Sequence, residues 1–359
     1  MSGARAHVVA EAGVNHNGSL SLAKQLVDVA AEAGADAVKF QTFRATSLVS
    51  RVAAKAPYQR RTTDDSTSQL AMLQALELDV EAHVELVRHC AMRHIEFLST
   101  PFDLESLDLL ARRLGLPRFK LSSGEITNAP LLLEAARVGR PIILSTGMST
   151  LSEVEEALGV LAFGYTEPLV EPRSSAFRRA FERDAGKDAL ARNVTLLHCT
   201  SAYPVPDAEI NLRAMDTLRR AFGLPVGLSD HSVGITVALA AVAREAAIVE
   251  KHFTLDRSMP GPDHNASLEP AELAEMIRGI RIVEQALGTA TKQSTSSEQG
   301  NLSFARKSLV AARDIREGEA FTPSNLTAKR PGDGISPMRY WDFLGKTASQ
   351  NFAHDEPIR

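Results

Sequence analysis

The sequence has few cysteines and no excess of positive charge, and each absence excludes a class of protein. The two cysteines, Cys90 and Cys199, have neither the number nor the spacing of a disulfide framework or a zinc site. Such sparse cysteine suits a reducing cytosol. The formal net charge of −4 offers no basic surface for nucleic acid, so any anionic ligand must be held by local charges.

Long apolar runs and targeting signals are also missing. No apolar run approaches the roughly 18 residues that are needed to span a bilayer. The N-terminus runs directly into a predicted strand, without the architecture of a signal peptide. We therefore expect a cytoplasmic protein that inserts into no membrane. The loop after the first strand, GVNHNG, lacks the glycine spacing of a dinucleotide-binding fingerprint, which argues against an open doubly wound sheet.

What the sequence does contain is a repeat of a short apolar segment, a polar loop and an amphipathic helix. Eight such units predict a closed (β/α)8 TIM barrel over residues 1–288. The length of 359 residues then leaves room for a small second module. The predicted strands are HVVAEAG, DAVKFQ, IEFLST, RFKLSS, PIILSTG, VTLLHCT, VGLSD and AIVEKHF.

Four segments depart from the repeat. Residues 47–69 follow the second strand on the catalytic side, and their length predicts a lid or a partner contact. Residues 164–192, with one predicted helix over 175–184, read as an insertion at the opposite end of the barrel. Residues 289–302 are polar and aperiodic, which predicts a linker. Residues 303–359 have short strands and glycine turns, which predict a small β-rich domain.

Polar side chains end nearly every predicted strand, and in this fold the C-terminal ends of the strands form the catalytic face. A barrel built for stability alone would carry few of them, because each costs desolvation unless it is paired. We therefore predict an active site on this rim. Its candidate residues are Glu11, Lys39, Gln41, Thr100, Lys120, Ser123, Glu125, Ser145, Thr146, Ser201, Tyr203, Ser229, His231, Lys251 and His252.

Two features of the rim have a specific chemistry. His231 and His252 end neighbouring strands and could bind one divalent metal that keeps open positions for substrate. Alternatively, His231 caps the following helix and His252 is a hydrogen-bonded residue of the rim. Lys39 and Lys120 predict a site for a small ligand with more than one negative group, or else they pair with rim carboxylates such as Glu11 and Glu125. Hydroxyls from Thr100, Ser123, Ser145 and Ser229 would complete the anion site. We interpret Lys251 and His89 as structural.

The rim motifs, taken together, resemble those of the sialic acid synthase family, and the ending with KRPGDGI resembles its antifreeze-like, or SAF, β-clip domain. The resemblance covers essentially the whole chain and its motifs occur in order on all eight strands. These motifs are EAGVNHNGS, VKFQTF, STPFD, KLSSGEITN, ILSTGM, HCTSAYP, GLSDHSVG, EKHFT and PGPDH.

The resemblance implies that phosphoenolpyruvate condenses with an N-acetylated mannosamine-type sugar and releases phosphate. It implies Mn²⁺ or Mg²⁺ on His231 and His252, and places Glu11 beside the reacting carbons. It also implies a domain-swapped homodimer in which Arg330 reaches the partner's cavity. The donor would lie near Lys39, Thr100, Lys120, Ser123, Ser145, Ser201, Ser229 and His231, and the sugar near Gln41, Glu125, Tyr203, Asp263 and Arg330.

Ser201 departs from the resemblance, since some members of the family carry an asparagine there. A serine still donates a hydrogen bond, so we expect a shifted or water-mediated contact with the donor. Among functions, we place N-acetylneuraminate synthase first, with N-acetylmannosamine as the acceptor. The alternative is N,N'-diacetyllegionaminate synthase, which would use 2,4-diacetamido-2,4,6-trideoxymannose. A sugar-binding or ice-binding protein without catalysis is the remaining, more remote alternative.

Overall fold

A computed structural model describes residues 5–56, 59–60, 63 and 67–359. The chain divides into two compact units, Met1–Thr289 and Ala290–Arg359. The division falls at the start of the predicted linker. That segment is not structureless, because it contains short helices at Ser296–Gln299 and Leu302–Ala305. In the described residues, no helix combines the length and the apolar content that crossing a membrane requires.

The first unit is the predicted barrel. Its eight strands form one sheet in the order β3-β2-β1-β8-β7-β6-β5-β4, all neighbours are parallel, and β3 also packs against β4. The (β/α)8 fold predicted from the repeat is therefore confirmed. The strands are β1 His7–Gly13, β2 Ala37–Thr42, β3 Glu96–Pro101, β4 Phe119–Leu121, β5 Ile142–Ser145, β6 Val194–Cys199, β7 Val226–Asp230 and β8 Ile248–His252.

The helices follow the strands as the repeat requires. In the first unit, the described helices are α1 Leu20–Ala33, α2 Ala45–Leu48, α3 Gln69–Gln74, α4 Val80–Met92, α5 Leu104–Asp108 with a π-turn at Leu109–Arg113, α6 Ala129–Arg137, α7 Leu151–Thr166, α8 Ser174–Glu182, α9 Asp184–Asn193, α10 Ala214–Phe222, α11 Thr236–Ala243 and α12 Pro270–Leu287.

Local sequence signals set the ends of these helices. Ser19 accepts a hydrogen bond from the backbone of α1, and Gly34 ends that helix in the left-handed conformation. Asp79 caps α4 in the same way, and Thr150 and Glu153 form a reciprocal capping box on α7. Ser19 and Thr150 lie in the loops that follow β1 and β5, so these two caps set where the helix after each of these strands begins.

The insertion at residues 164–192 is helical throughout most of its length. It contains α8 and α9, where the sequence analysis predicted one helix over 175–184. The difference arises at Arg183, whose extended backbone separates the two helices. Helix α9 leads directly into the first residue of β6, so this part of the insertion lies at the N-terminal ends of the strands, opposite the predicted active rim.

The interior of the barrel has an apolar layer beneath a polar one. Alternate residues of a strand face the interior, so the residue two positions after each member of the apolar layer also points inward. The polar side chains of the rim therefore lie directly above a layer of apolar side chains. The apolar layer is Val9, Ala37, Leu98, Ile143, Leu197 and Ile248, and the next inward positions are Glu11, Lys39, Thr100, Ser145, Cys199 and Glu250.

The second unit has a small β-rich core, as predicted. Strands β9 Ser308–Ala311 and β10 Leu326–Lys329 pair antiparallel, and isolated bridges tie later segments to this region. A short helix spans Tyr340–Phe343. The core is formed by Leu309, Ala311, Ile315, Phe321, Leu326, Ala348, Phe352 and Ile358.

Candidate active site

A cavity of about 450 Å³ opens at the C-terminal ends of the strands. It brings together all but two of the residues that the sequence analysis assigned to substrates or metal. These residues come from separate βα units, so only the closed barrel makes them neighbours. The predicted residues that line the cavity are Glu11, Lys39, Gln41, Thr100, Lys120, Ser123, Ser145, Ser201, Tyr203, Ser229, His231, His252 and Asp263.

The floor of the cavity holds two lysines and two glutamates, all buried. Lys39 Nζ lies 2.8 Å from Glu11 Oε2 and 3.8 Å from Glu250 Oε2. Lys120 Nζ lies 3.2 Å from Glu250 Oε1. Lys39 also donates to Thr100 Oγ1 at 3.1 Å, and Ser229 Oγ donates to Glu250 Oε1 at 2.9 Å. The four charges balance, so a multiply charged anion can enter only by competing with a carboxylate for the lysines.

Glu250 is a residue of the site that the sequence analysis missed. Lys39 pairs with Glu11, one of the two carboxylates named from the sequence, but Glu250 is the carboxylate that contacts both lysines. A signal for it was present, because a charged residue inside the apolar strand AIVEKHF stands two positions before His252. Residues two apart in a strand share a face. Glu250 therefore had to point into the same cavity as His252.

The two buried glutamates have opposite acid–base properties. Burial raises the pKa of Glu11 to about 7, against the opposing effect of Lys39. Burial would also raise the pKa of Glu250, but Lys120, Lys39 and the hydrogen bond from Ser229 outweigh it and lower that pKa to about 2. Glu250 is thus a permanent negative charge, while Glu11 can gain or lose a proton near neutral pH.

The two histidines face each other across the cavity, with ring centroids 5.4 Å apart. His231 Nδ1 donates to the carbonyl oxygen of Thr200 at 2.8 Å, which leaves the lone pair on Nε2. His252 Nδ1 is buried and has no hydrogen-bond partner among the described residues. Burial, His231 and Lys39 lower the pKa of His252, so its ring is neutral. Helix α11 begins after Ile235, which excludes His231 as its N-cap.

This pair fits a divalent metal ion. An unpartnered nitrogen in a buried site is costly unless something binds it, and a neutral imidazole is a good ligand for transition metals. Within the described residues, no group of three or more His, Cys, Asp or Glu side chains could hold an ion by itself. Water or substrate oxygens would therefore complete the coordination, as is typical of catalytic sites.

Two glycines let further side chains converge. Gly13 has a φ of +54°, and a Cβ there would lie 3.3 Å from Glu11 Oε1, 3.4 Å from Gln41 Nε2 and 3.6 Å from Asp263 Oδ2. These three polar groups thus meet above Gly13. Burial raises the pKa of Asp263 to about 6, although His231 and Lys39 oppose it.

The second glycine, Gly147, lies on the hydroxyl side of the cavity. Its N–H donates to Ser123 Oγ at 2.9 Å, and a Cβ there would collide with Ser123 and with Ser201 Oγ. The two serine hydroxyls therefore approach the same backbone position. Ser201, the position at which the sequence departs from some members of the family, remains within the cavity. Its hydroxyl can donate there.

Glu125 and Arg330 are the residues assigned to the sugar that do not line the cavity, and the rim candidates Thr146 and Lys251 do not line it either. Glu125 follows β4 in a short 3-10 turn, and its Oε2 accepts a hydrogen bond from Asn128 Nδ2 at 2.6 Å. Arg330 belongs to the second unit, where its exposed side chain donates through Nε to the carbonyl oxygen of Ala305 at 3.1 Å. The sugar contacts predicted for these two residues stay predictions.

One side of the cavity is apolar, and the sequence analysis did not anticipate it. We call it the apolar wall. It comes from the loop after β1, from α2 and α3, and from the residue after β3. Part of the predicted lid at residues 47–69 lies outside the described residues. Its beginning contributes Leu48 to this wall, and the residues that follow it contribute Met72, Leu73 and Leu76. The wall consists of Val14, Leu48, Met72, Leu73, Leu76 and Phe102.

A (β/α)8 barrel with buried, balanced charges at the C-terminal ends of its strands defines an enzyme. The chain belongs to the NeuB family, which matches residues 26–292, and residues 306–359 match the SAF domain. The resemblance stated from the motifs is therefore confirmed, and so is the prediction of an enzyme rather than a binding protein.

Two curated relatives and one solved structure illustrate the similarity. The N,N'-diacetyllegionaminic acid synthase of Campylobacter jejuni is 53% identical over 352 residues, which is 98% of either chain. The enzyme of the same name from Legionella pneumophila is 42% identical over 346 residues, covering 96% of this chain and 91% of that protein. The crystal structure of N-acetylneuraminic acid synthetase from Leptospira borgpetersenii superposes with a TM-score of 0.66 at 32% identity, covering 83% of this chain and 90% of that one.

Proposed function

We propose that this protein is an N,N'-diacetyllegionaminate synthase. It would condense phosphoenolpyruvate with 2,4-diacetamido-2,4,6-trideoxymannose and release phosphate. The observation that carries the proposal is the 53% identity with the Campylobacter jejuni synthase over 98% of both chains. The similarity to the Leptospira borgpetersenii sialic acid synthetase is lower, at 32% identity. The order of the two acceptor sugars in the sequence analysis is therefore reversed.

The apolar wall supports this choice of sugar. A 6-deoxy sugar with two acetamido groups carries three methyl groups, whereas N-acetylmannosamine has one methyl and additional hydroxyls. Buried hydroxyls facing Leu73, Met72 and Phe102 would lose hydrogen bonds to water without gaining any in return. Methyl groups gain by leaving water on the same surface.

The charged residues on the floor of the cavity support phosphoenolpyruvate as the donor. Lys39 and Lys120 would neutralise the carboxylate and phosphate of phosphoenolpyruvate, which must displace Glu250 from at least one lysine. Hydroxyl groups beside the lysines can donate to the remaining anionic oxygens. These hydroxyls belong to Thr100, Ser123, Ser145, Ser201 and Ser229.

The proposed reaction forms one carbon–carbon bond and exchanges one carbon–oxygen bond of the donor for another. Carbon 3 of phosphoenolpyruvate attacks the aldehyde carbon, whose oxygen takes up a proton and becomes a hydroxyl. Water adds to carbon 2 and gives up one proton, and phosphate leaves from the same carbon and takes the second, so that the water oxygen becomes the ketone oxygen of the keto acid. Glu11 can hold or release one of these protons, because burial brings its pKa to about 7.

His231 and His252 would hold the Mn²⁺ or Mg²⁺ ion. When bound, such an ion polarises an aldehyde oxygen. The chain's own contribution is to keep the His252 ring neutral and to fix the tautomer of His231 through Thr200. Tyr203 packs with its ring centroid 4.2 Å from that of His231, which restricts the orientation of the His231 ring.

The proposal is tested by giving the purified protein each sugar with phosphoenolpyruvate and Mn²⁺ and measuring phosphate release. We expect kcat/KM for the diacetamido sugar to exceed that for N-acetylmannosamine by at least ~10²-fold, since two misplaced polar groups cost about 3 kcal/mol. Equal or better use of N-acetylmannosamine would favour N-acetylneuraminate synthase, the function that the sequence analysis placed first. Absence of phosphate release with both sugars would contradict the proposed reaction.

The apolar wall yields a specific prediction for Leu73→Gln. The change should raise KM for the diacetamido sugar about 10-fold, because burying a methyl group against the wall contributes on the order of 1 kcal/mol. KM for phosphoenolpyruvate should stay within about 2-fold. Leu169→Gln, at a fully exposed position, is the matched control. Equal increases in both KM values would count against an acceptor-specific role.

A homodimer in which Arg330 reaches the partner's cavity also stays a prediction. The supporting observation is that Arg330 presents an exposed guanidinium in the KRPGDGI turn of the second unit. We expect Arg330→Ala to raise KM for the sugar, since a charged contact would be lost from a site assembled by two chains. Unchanged kinetics in a protein shown by light scattering to be dimeric would exclude this arrangement.

A further inference from the structure

Lys251 is buried on the outer face of the barrel wall, directly behind the two histidines. It stands between Glu250 and His252 in β8, and both of these line the cavity. Successive residues of a strand face opposite sides, so Lys251 points away from the cavity toward the layer where α11 packs. Its side chain is fully buried. An apolar residue would be expected at such a position.

The ammonium group of Lys251 has a complete set of partners. It donates to Asp230 Oδ2 at 3.0 Å, to the carbonyl oxygen of Ser232 at 2.6 Å, and lies 3.4 Å from Ser232 Oγ. The other oxygen of Asp230 accepts from the backbone N–H of Ser232 at 2.8 Å and from its hydroxyl at 2.6 Å. All three residues are at most 2% exposed.

This network is formed by the chain neighbours of both histidines. Asp230 and Lys251 are opposite each other in the β7–β8 ladder, at the last pair that the ladder forms. His231 follows that pair and no longer belongs to β7, yet its two chain neighbours, Asp230 and Ser232, are both tied to Lys251. His252 follows Lys251 itself. One ammonium group thus fixes the backbone from which both imidazoles extend.

Stability alone does not account for this arrangement. Taking a lysine and an aspartate out of water costs about as much as their attraction returns, and apolar residues of similar size often serve as well or better. A buried polar network does restrict the backbone to one conformation. Metal ligands need that restriction, because groups that support the ligands typically change metal affinity by 10-fold to 100-fold when they are removed.

We propose that Lys251, together with Asp230 and Ser232, is a positioning residue that holds His231 and His252 in register for one divalent ion. This proposal rests on the metal site of the proposed function. It revises the purely structural role that the sequence analysis gave to Lys251. Lys251 itself touches neither substrate nor metal, since it lies on the far side of the strand.

The test measures Mn²⁺ affinity of the full-length protein by the electron paramagnetic resonance signal of free Mn²⁺, alongside thermal unfolding. Lys251→Met leaves Asp230 buried and unpaired, which threatens folding. The double variant Asp230→Asn with Lys251→Met removes both charges together. We expect it to fold and to weaken Mn²⁺ binding about 10-fold or more. Lys24→Met, which breaks an exposed pair with Glu85, is the control and should bind Mn²⁺ like the wild type.

A folded double variant with wild-type Mn²⁺ affinity would overturn the positioning role and leave the metal site intact. A lower melting temperature with unchanged affinity has the same meaning. His231→Ala separates the two proposals, because it removes a ligand outright. If the wild type binds Mn²⁺ no more tightly than His231→Ala, the metal site of the proposed function is itself wrong.

Discussion

Replacing Glu11 by Gln is expected to lower kcat by about 10²-fold to 10⁴-fold, which is the usual contribution of a positioned acid or base. Glutamine keeps the size and can still bond to Lys39, but it cannot hold or release a proton. Glu11 is the buried glutamate whose pKa lies near 7, whereas the lysines keep Glu250 ionised. The loss should therefore appear in kcat more than in KM for phosphoenolpyruvate.

Steady-state kinetics with both substrates varied would measure this split, and thermal unfolding would verify the fold. Glu32→Gln is a matched control, since Glu32 lies on the exposed face of α1 and pairs only with Arg93 among the described residues. It should retain full activity. A Glu11→Gln enzyme with kcat within about 3-fold of the wild type would mean that another group moves the proton.

Removal of the divalent ion is expected to abolish turnover. A chelator should lower activity by about 10³-fold or more, since polarisation of the aldehyde oxygen by an ion supplies several kcal/mol. Added Mn²⁺ or Mg²⁺ should restore the wild type. His252→Ala should lose the same activity and should not recover, because its buried ring is one of two imidazoles that face each other in the cavity.

Phosphate release before and after dialysis against chelator measures this effect. His354→Ala serves as the control, because His354 is an exposed residue of the second unit. It should respond to chelator and metal as the wild type does. Full activity after exhaustive chelation, or recovery of His252→Ala by metal, would contradict the assignment of the histidines as metal ligands.

The barrel and most of its site followed from sequence because both depend on periodicity. Continuous apolar strands between amphipathic helices leave few folds open, and in this fold the strand C-termini converge. Twelve residues that line the cavity could thus be named without coordinates, and a thirteenth, Asp263, was named through the family resemblance. Glu125 does not line the cavity, because it lies in a 3-10 turn after β4 and accepts a hydrogen bond from Asn128, and its sugar contact stays a prediction.

The sequence analysis missed other features of the site, and the reason differs from one feature to the next. Glu250 was detectable from strand alternation, but it was overlooked because it lies inside the segment AIVEKHF, between an apolar run and the pair Lys251 and His252. The apolar wall was not detectable, since α3 and Phe102 come from different loops that meet only above the closed barrel. Lys251 looked like a weak rim candidate, although alternation places it behind the rim. In the proposed function, the choice of acceptor sugar depends on the shape of the wall, which motif residues do not encode.

The sequence by itself determined the fold, the rim and the chemical types of the groups on it, because these depend on hydrophobic period and on the residue types at the end of each strand. Only the tertiary structure decided which charges compensate one another. Pairing of Lys39 with Glu11, of Lys120 with Glu250 and of Lys251 with Asp230 requires distances of about 3 Å between residues far apart in the chain. Electrostatic energies and pKa values depend on those distances and on burial, which no spacing along the sequence specifies.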